Sequence, residues 1–128
     1  MPLRYQIDHQ RRLVWATAHG VLTDDDLFAY QRSVWSRPDV QGYDELVDMG
    51  EVTDIPRPTP SNIHALADLS AEMDPPSSLS RFAIVASDDL AYGLGRMYQT
   101  HRALNPRSGK EVRVFRTVEK ALEWLEQK

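Results

Sequence analysis

The chain has 128 residues, which is enough for one domain with a buried core. Its net charge of −4 disfavours a duplex nucleic-acid binder, because such proteins present a basic face. The lack of cysteine excludes disulfides, thiolate chemistry and cysteine-based zinc sites. No apolar run reaches the roughly 18 residues of a membrane span, and residues 1–5 lack the apolar core of a signal peptide. We therefore expect a single cytoplasmic domain of bacterial type, residues 1–128.

The first third of the chain predicts a hairpin followed by a helix. Residues 3–8 alternate apolar and polar side chains, and residues 12–20 do so again after a short turn, so the two strands should pair antiparallel. Thr23 precedes three aspartates and is a natural N-cap for a helix. Pro38 ends that helix.

The middle of the chain predicts a buried strand, a loop and a second helix. Residues 43–49 are largely apolar, and residues 52–58 form a loop interrupted by prolines. Thr59 as N-cap with Pro60 at the first helical position is a strong start signal. The helix ends at Asp74, before two prolines.

The last third of the chain predicts two further βα units. Residues 81–86 read as a central strand, and Asp88 with its neighbours caps a third helix. After a loop at 105–109, residues 112–115 form the fifth strand and Thr117 caps the last helix. The inner face expected for the third helix consists of Leu90, Leu94, Met97, His101 and Leu104.

The resulting order, β-β-α-β-α-β-α-β-α, predicts an α/β domain with a mixed, mostly parallel five-stranded sheet and four helices. Ligands in such folds bind beyond the carboxyl ends of the strands. The loop before the second helix and the start of the third helix should meet at that edge. The ligand-binding residues that we predict there are Asp54, Thr59, Ser61, Asn62, Asp88, Tyr92 and Arg96.

Several segments spread over nearly the whole chain carry a family resemblance. They are residues 14–20, 22–23, 45–48, 81–85, 89–93 with 96–98, and 114–116 with Glu119, Ala121, Trp124 and Leu125. As an ordered set they resemble the SpoIIAA-like, STAS-related proteins. The resemblance implies the fold of the anti-sigma-factor antagonists, a small sheet with helices packed largely on one side. It also implies a role in binding partner proteins, nucleotides or apolar small molecules, and no enzymatic activity.

The chain departs from this family at the start of the second helix. Classical antagonists carry a phosphorylatable Asp-Ser-Ser/Thr-Gly stretch there, whereas residues 53–62 lack the Asp-Ser pair and the glycine and contain three prolines. Control by serine phosphorylation is therefore not expected. Thr59 and Ser61 lie where helix N–H groups would stabilise a phosphate, but Thr59 is expected to act as a plain helix cap.

We expect a non-enzymatic binding or regulatory domain without cofactor or metal, whose partner is a protein or a small molecule. The alternative is a carrier with an apolar cavity between helices and sheet, lined by Tyr92, Leu94, Met97 and Ile63. A small enzyme ranks last, since no Gly-x-Ser-x-Gly elbow accompanies the serines.

Three other groups of residues have a functional and a structural interpretation. The histidines His9, His19, His64 and His101 show no ligand spacing, and we interpret them as structural. Gly93 and Gly95 fall inside a helix, which predicts close packing rather than a ligand contact. The basic residues Arg96, Arg102, Arg107 and Lys110 are expected to form a solvated face rather than an anion site.

The first helix has more aromatic residues than one core contact needs. Phe28 and Trp35 are seven residues apart and lie beside the inner stripe of Leu27, Tyr30 and Val34. Large aromatics left at such an edge are enriched in self-association surfaces. We therefore predict a homodimer with Trp35 as its anchor.

Overall fold

The computed structural model describes residues 2–76 and 79–127, and within them the predicted order of strands and helices is confirmed. The elements alternate as expected after the initial hairpin, with one 3-10 turn at Pro38–Val40. The strands are β1 Leu3–Asp8, β2 Leu13–Val21, β3 Asp44–Asp54, β4 Ser80–Val85 and β5 Lys110–Phe115. The helices are α1 Asp24–Val34, α2 Pro60–Met73, α3 Asp89–Leu104 and α4 Val118–Glu126.

The five strands form one sheet in the order β1-β2-β3-β4-β5. The first pair is antiparallel and the other three pairs are parallel. Because every parallel crossover steps in the same direction, the right-handed rule brings α1, α2 and α3 to one face. Helix α4 returns to the other face.

Alternation along the strands divides the core between the two faces. Val47 packs in the larger cluster with Tyr30 and Ile63 from the helices α1 and α2. Its neighbour Leu46 points the other way and packs with Trp124 of α4. The period-2 rule for strands therefore places adjacent residues of β3 in separate cores.

Strand β3 is longer than its sequence predicts. The expected loop at 52–58 was wrong at its start, since the pairing of β2 with β3 continues through Gly20–Val52 and Val21–Asp54. Register shifts in β2 near His19 and Gly20 allow the two strands to stay together. The loop between β3 and α2 is consequently only five residues long, 55–59.

The inner face expected for α3 was right for Leu94 and Met97, which pack against the core, and wrong at its two ends. Leu90 is 50% exposed and Leu104 is 76% exposed. The buried positions are Ala91, Gly95, Tyr98 and Arg102, one residue further along the helix. A Cβ at Gly95 would lie 3.3 Å from both Val114 methyls, so this glycine lets α3 approach the sheet closely, as the sequence predicted. The same prediction was wrong for Gly93, where a Cβ would meet no atom within 4 Å.

The expected solvated basic face was also wrong for two of its members. Arg102 is 1% exposed, and its guanidinium lies 2.9 Å from the Asp74 carboxylate. The Lys110 ammonium is buried and lies 2.8 Å from the Glu45 carboxylate. Each cation finds its partner in a segment distant in sequence, which periodicity within one helix cannot show. Arg96 and Arg107 are exposed, as expected.

Trp35 is buried, and its expected place at an exposed edge was wrong. Only 5% of the residue is exposed. Its indole N–H donates to the Glu45 carboxylate at 3.1 Å, and the Lys110 ammonium lies 3.2 Å from its ring centre. These contacts with Glu45 and Lys110 hold Trp35, the C-cap residue of α1, inside the core. The homodimer stays a prediction, without Trp35 as its anchor.

Candidate functional site

A cavity of about 80 Å³ lies between the sheet and the helices α1, α2 and α3. This volume is several times the roughly 10–15 Å³ that one water molecule requires. Its lining comprises Asp24, Leu27, Tyr30, Gln31, Glu45, Val47, Met49, Ile55, Pro58, Ile63, Leu66, Ser70, Phe82, Ile84, Ala91, Leu94, Gly95 and Tyr98.

Most of the cavity wall is apolar. Each helix contributes a side chain from its inner stripe, such as Leu27 from α1, Ile63 from α2 and Leu94 from α3. The sheet contributes Phe82 and Ile84 of β4. These two side chains share one face of the sheet because they are two residues apart in a strand. An apolar wall of this kind is the usual lining of small-molecule pockets.

A carboxylate with three donors forms one end of the cavity. The Tyr30 hydroxyl donates to Glu45 Oε2 at 2.7 Å, and the Trp35 indole donates to the same oxygen. Lys110 Nζ donates to Glu45 Oε1 at 2.8 Å. Glu45 is 2% exposed, so this network supplies the partners that a buried charge requires.

Burial sets the protonation of the phenols and the ammonium at this end. It raises the pKa of Tyr30 well above its ordinary value, and the Glu45 carboxylate raises that pKa further. Burial likewise raises the pKa of Tyr98 to about 12. The pKa of Lys110 is lowered by burial, although the nearby Glu45 opposes the shift. Both phenols therefore stay uncharged at neutral pH, and the Tyr30 hydroxyl donates its proton to Glu45.

A second polar pair lies beside the first. The Ser70 hydroxyl donates to Gln31 Oε1 at 2.9 Å, and both residues are buried. The Gln31 amide also approaches the Met73 sulfur at 3.6 Å. These two side chains join α1 to α2 inside the cavity wall.

Asp24 and Pro58 are half-exposed members of the lining, and we call them the mouth of the cavity. Asp24 is the first residue of α1, whose N-cap Thr23 accepts from the Asp26 N–H in a capping box. The Asn62 amide of α2 donates to the Asp24 carboxylate. Asn62, which the sequence predicts as a ligand residue, does not line the cavity itself but forms a hydrogen bond with Asp24, which does.

The other predicted ligand residues lie outside the cavity. Thr59 caps α2 by accepting from the Asn62 N–H at 3.2 Å, and Ser61 is exposed beside it. Asp88 caps α3 by accepting from the Ala91 N–H at 3.0 Å. The remaining three, Asp54, Tyr92 and Arg96, do not line the cavity, and Tyr92 packs under the Arg116 guanidinium.

The carrier alternative names two residues that line the cavity and two that do not. Ile63 and Leu94 belong to the lining, whereas Tyr92 and Met97 do not. Glu45 and Asp24 were not predicted as site residues, whereas Tyr30 was expected on the inner stripe of α1. A signal for Glu45 was present, because a glutamate in a strand that is expected to be buried requires a buried partner.

Two of the histidines stack on each other at the surface between α2 and α3. The rings of His64 and His101 lie 4.3 Å apart and nearly parallel, and the His64 Nε2 lies 3.5 Å from Asp68. Residues 2–76 and 79–127 contain no group of three or more histidine, aspartate or glutamate side chains arranged to hold a metal. In the same ranges, none of the helices combines the length and apolarity that crossing a bilayer requires.

A solved structure shares this architecture. It is an uncharacterised protein of the DUF3478 family from Shewanella loihica PV-4, described as having a SpoIIAA-like fold. The alignment covers 96% of this chain and 93% of that chain, with a TM-score of 0.59 and 18% sequence identity. No family model matches the sequence, and no curated protein matches it. Identity at this level shows the fold alone, and the fold of this chain is SpoIIAA-like.

Proposed function

We propose that the protein is a non-enzymatic binding domain that holds a small, mostly apolar molecule in the cavity between α1, α2, α3 and the sheet. The observation that carries this proposal is the apolar wall with a few buried polar groups at one end. Binding sites for small molecules commonly combine these two features.

The arrangement of the polar groups supports binding rather than catalysis. The Tyr30 hydroxyl is engaged with Glu45, and the Ser70 hydroxyl is engaged with Gln31. A nucleophile needs an adjacent general base, and the partner of Ser70 is an amide, which cannot accept its proton. The Glu45 carboxylate is held by Lys110 and by two uncharged donors.

A regulatory role through a partner protein is the second candidate. Ile55 and Pro58 line the cavity and belong to the loop before α2. A bound molecule would therefore contact the loop that precedes α2, the region in which classical antagonists carry their phosphorylatable stretch. Hydrogen exchange of residues 55–62 should slow by several fold when the cavity is filled, and unchanged exchange would argue against this coupling.

Saturation-transfer NMR with hexanol tests the main proposal. We expect transfer from the protein to the alkyl protons, and we expect Leu94→Phe or Ile63→Phe to reduce it because each fills the cavity. Leu104→Phe is the matched control, since Leu104 lies on the same helix as Leu94 and is 76% exposed. Equal signals in all of these folded variants would contradict binding in the cavity.

A further inference from the structure

The charged side chains that line the cavity are two carboxylates, Asp24 and Glu45. Of the described residues that line it, none is a lysine, arginine or histidine. The ionisable members are the carboxyl groups of Asp24 and Glu45 and the phenols of Tyr30 and Tyr98. A ligand with an anionic head would therefore meet no positive charge on the wall itself.

The two carboxylates differ in what neutralises them. Glu45 forms an ion pair with Lys110 inside the protein. Asp24 has the Asn62 amide as its partner, and no cation among residues 2–76 and 79–127 lies within ion-pair distance of it. The N-terminus of α1 carries about half a positive charge, which is less than the negative charge of the three aspartates in its first turn. The mouth therefore keeps a net negative charge.

The distance between the two ends indicates the form of the ligand. Asp24 and Tyr30 are six residues apart on α1, which corresponds to about 9 Å along the helix axis. Apolar side chains such as Leu27 and Leu94 line the wall between them. This layout suits a short apolar body with one charged group at its outer end.

We infer that the cavity takes a lipophilic amine, with the ammonium group beside Asp24 and the apolar body directed towards Tyr30 and Glu45. This inference rests on the function proposed above and names the ligand class of the same cavity. An alkyl ammonium, like a lysine side chain, is charged at neutral pH and has three donors for a carboxylate. Its alkyl part gains from burial against the apolar wall.

The loop 55–59 between β3 and α2 carries one cation, Arg57, which defines the competing outcome. Its side chain is exposed and it does not line the cavity. If Arg57 reached over the mouth, a fatty-acid-like carboxylate would be preferred to an amine. A series of probes with the same chain length separates these two outcomes.

Chemical-shift titrations of the labelled protein with hexylamine, hexanol and hexanoate test the inference. We expect hexylamine to bind about fivefold more tightly than hexanol, as for a partly exposed ion pair, and hexanoate to bind most weakly. The advantage of the amine should shrink as salt is raised. Equal binding of amine and alcohol, or tightest binding of hexanoate, would overturn the inference and leave the cavity function in place.

Variants at the start of α1 locate the effect. Asp24→Asn should remove the advantage of hexylamine over hexanol, and Asp24→Glu should retain it. Asp25→Asn is the matched control, because Asp25 is exposed on the same helical turn and does not line the cavity. Equal losses in Asp24→Asn and Asp25→Asn would show a general charge effect and overturn the inference. If none of the three probes bound the wild-type protein, the proposed function would fail together with it.

Discussion

Glu45 connects the cavity to the hydrophobic core at the scale of single residues. Its carboxylate accepts from Tyr30, Trp35 and Lys110, all of which are buried. Buried charges are tolerated when such partners surround them, and they are costly when one partner is removed. The network therefore fixes the inner end of the cavity and links α1, β3 and β5.

The Glu45–Lys110 pair predicts a non-additive response to mutation. Lys110→Met should lower the free energy of unfolding by about 3 kcal/mol, because it leaves a buried carboxylate without its cation. Adding Glu45→Gln should recover part of that loss, since the amide oxygen still accepts from Tyr30 and Trp35 while the negative charge is gone. Urea denaturation of both variants measures the difference. A double variant less stable than Lys110→Met would contradict the pairing.

Tyr98 predicts a loss of stability at alkaline pH. Its pKa is raised to about 12 by burial, whereas an unfolded tyrosine titrates near 10. Between these values the folded state retains a proton that the unfolded state releases, so the free energy of unfolding falls as the pH rises. The fall attributable to Tyr98 should total about 3 kcal/mol over this window.

Tyr98→Phe isolates this contribution from the other alkaline groups. Lys110 acts in the opposite direction, because its lowered pKa makes the unfolded state the better proton binder below pH 10.5. Stability measured against pH should therefore fall less steeply above pH 10 in Tyr98→Phe than in the wild type. Parallel curves would show that the Tyr98 hydroxyl titrates alike in both states.

At the scale of elements, the two glycines of α3 provide a matched test of close packing. A Cβ at Gly93 would meet no atom within 4 Å, so Gly93→Ala should raise the free energy of unfolding by about 1 kcal/mol through helix propensity. A Cβ at Gly95 would crowd Val114 and Ile84, so Gly95→Ala should lose that gain. Thermal melts compare the two variants. An equal stabilisation by both would contradict the close approach of α3 to the sheet.

The start of α2 predicts the effect of a lost helix cap. Thr59→Ala removes the oxygen that accepts from the Asn62 N–H, and it should lower the free energy of unfolding by about 1 kcal/mol. Ser61→Ala is the control, because Ser61 is exposed and should change stability by less than about 0.5 kcal/mol. Equal chemical-denaturation midpoints for Thr59→Ala and the wild type would argue against the cap.

The elements were largely predictable from the sequence because their signals are local. Caps such as Thr23 and Thr59 and the alternation in β1 and β2 act within a few residues. The end of β3 was not predictable, since it depends on pairing with β2 through register shifts. The ends of the inner face of α3 were misplaced because Leu90 and Leu104 match the helical period as well as the buried residues do.

At the scale of the whole molecule, the cavity results from three helices that meet over one face of the sheet. A cavity between helices and sheet was expected for a carrier, and its position between α1, α2 and α3 follows from the topology. The polar groups were not predictable, because Glu45, Lys110 and Trp35 come together only across the fold. The ligand residues predicted at the carboxyl edge, such as Ser61 and Asp88, stay a prediction.

Intermolecular NOEs between hexylamine and the methyl-labelled protein test most directly whether a ligand occupies the cavity. We expect contacts from the alkyl chain to the methyl groups of Leu27, Ile63 and Leu94, which surround the cavity on three helices. We expect no contacts to the exposed methyl groups of Leu90 and Leu104. Contacts confined to the exposed leucines, or no contact at saturating amine, would contradict a binding cavity between the helices and the sheet.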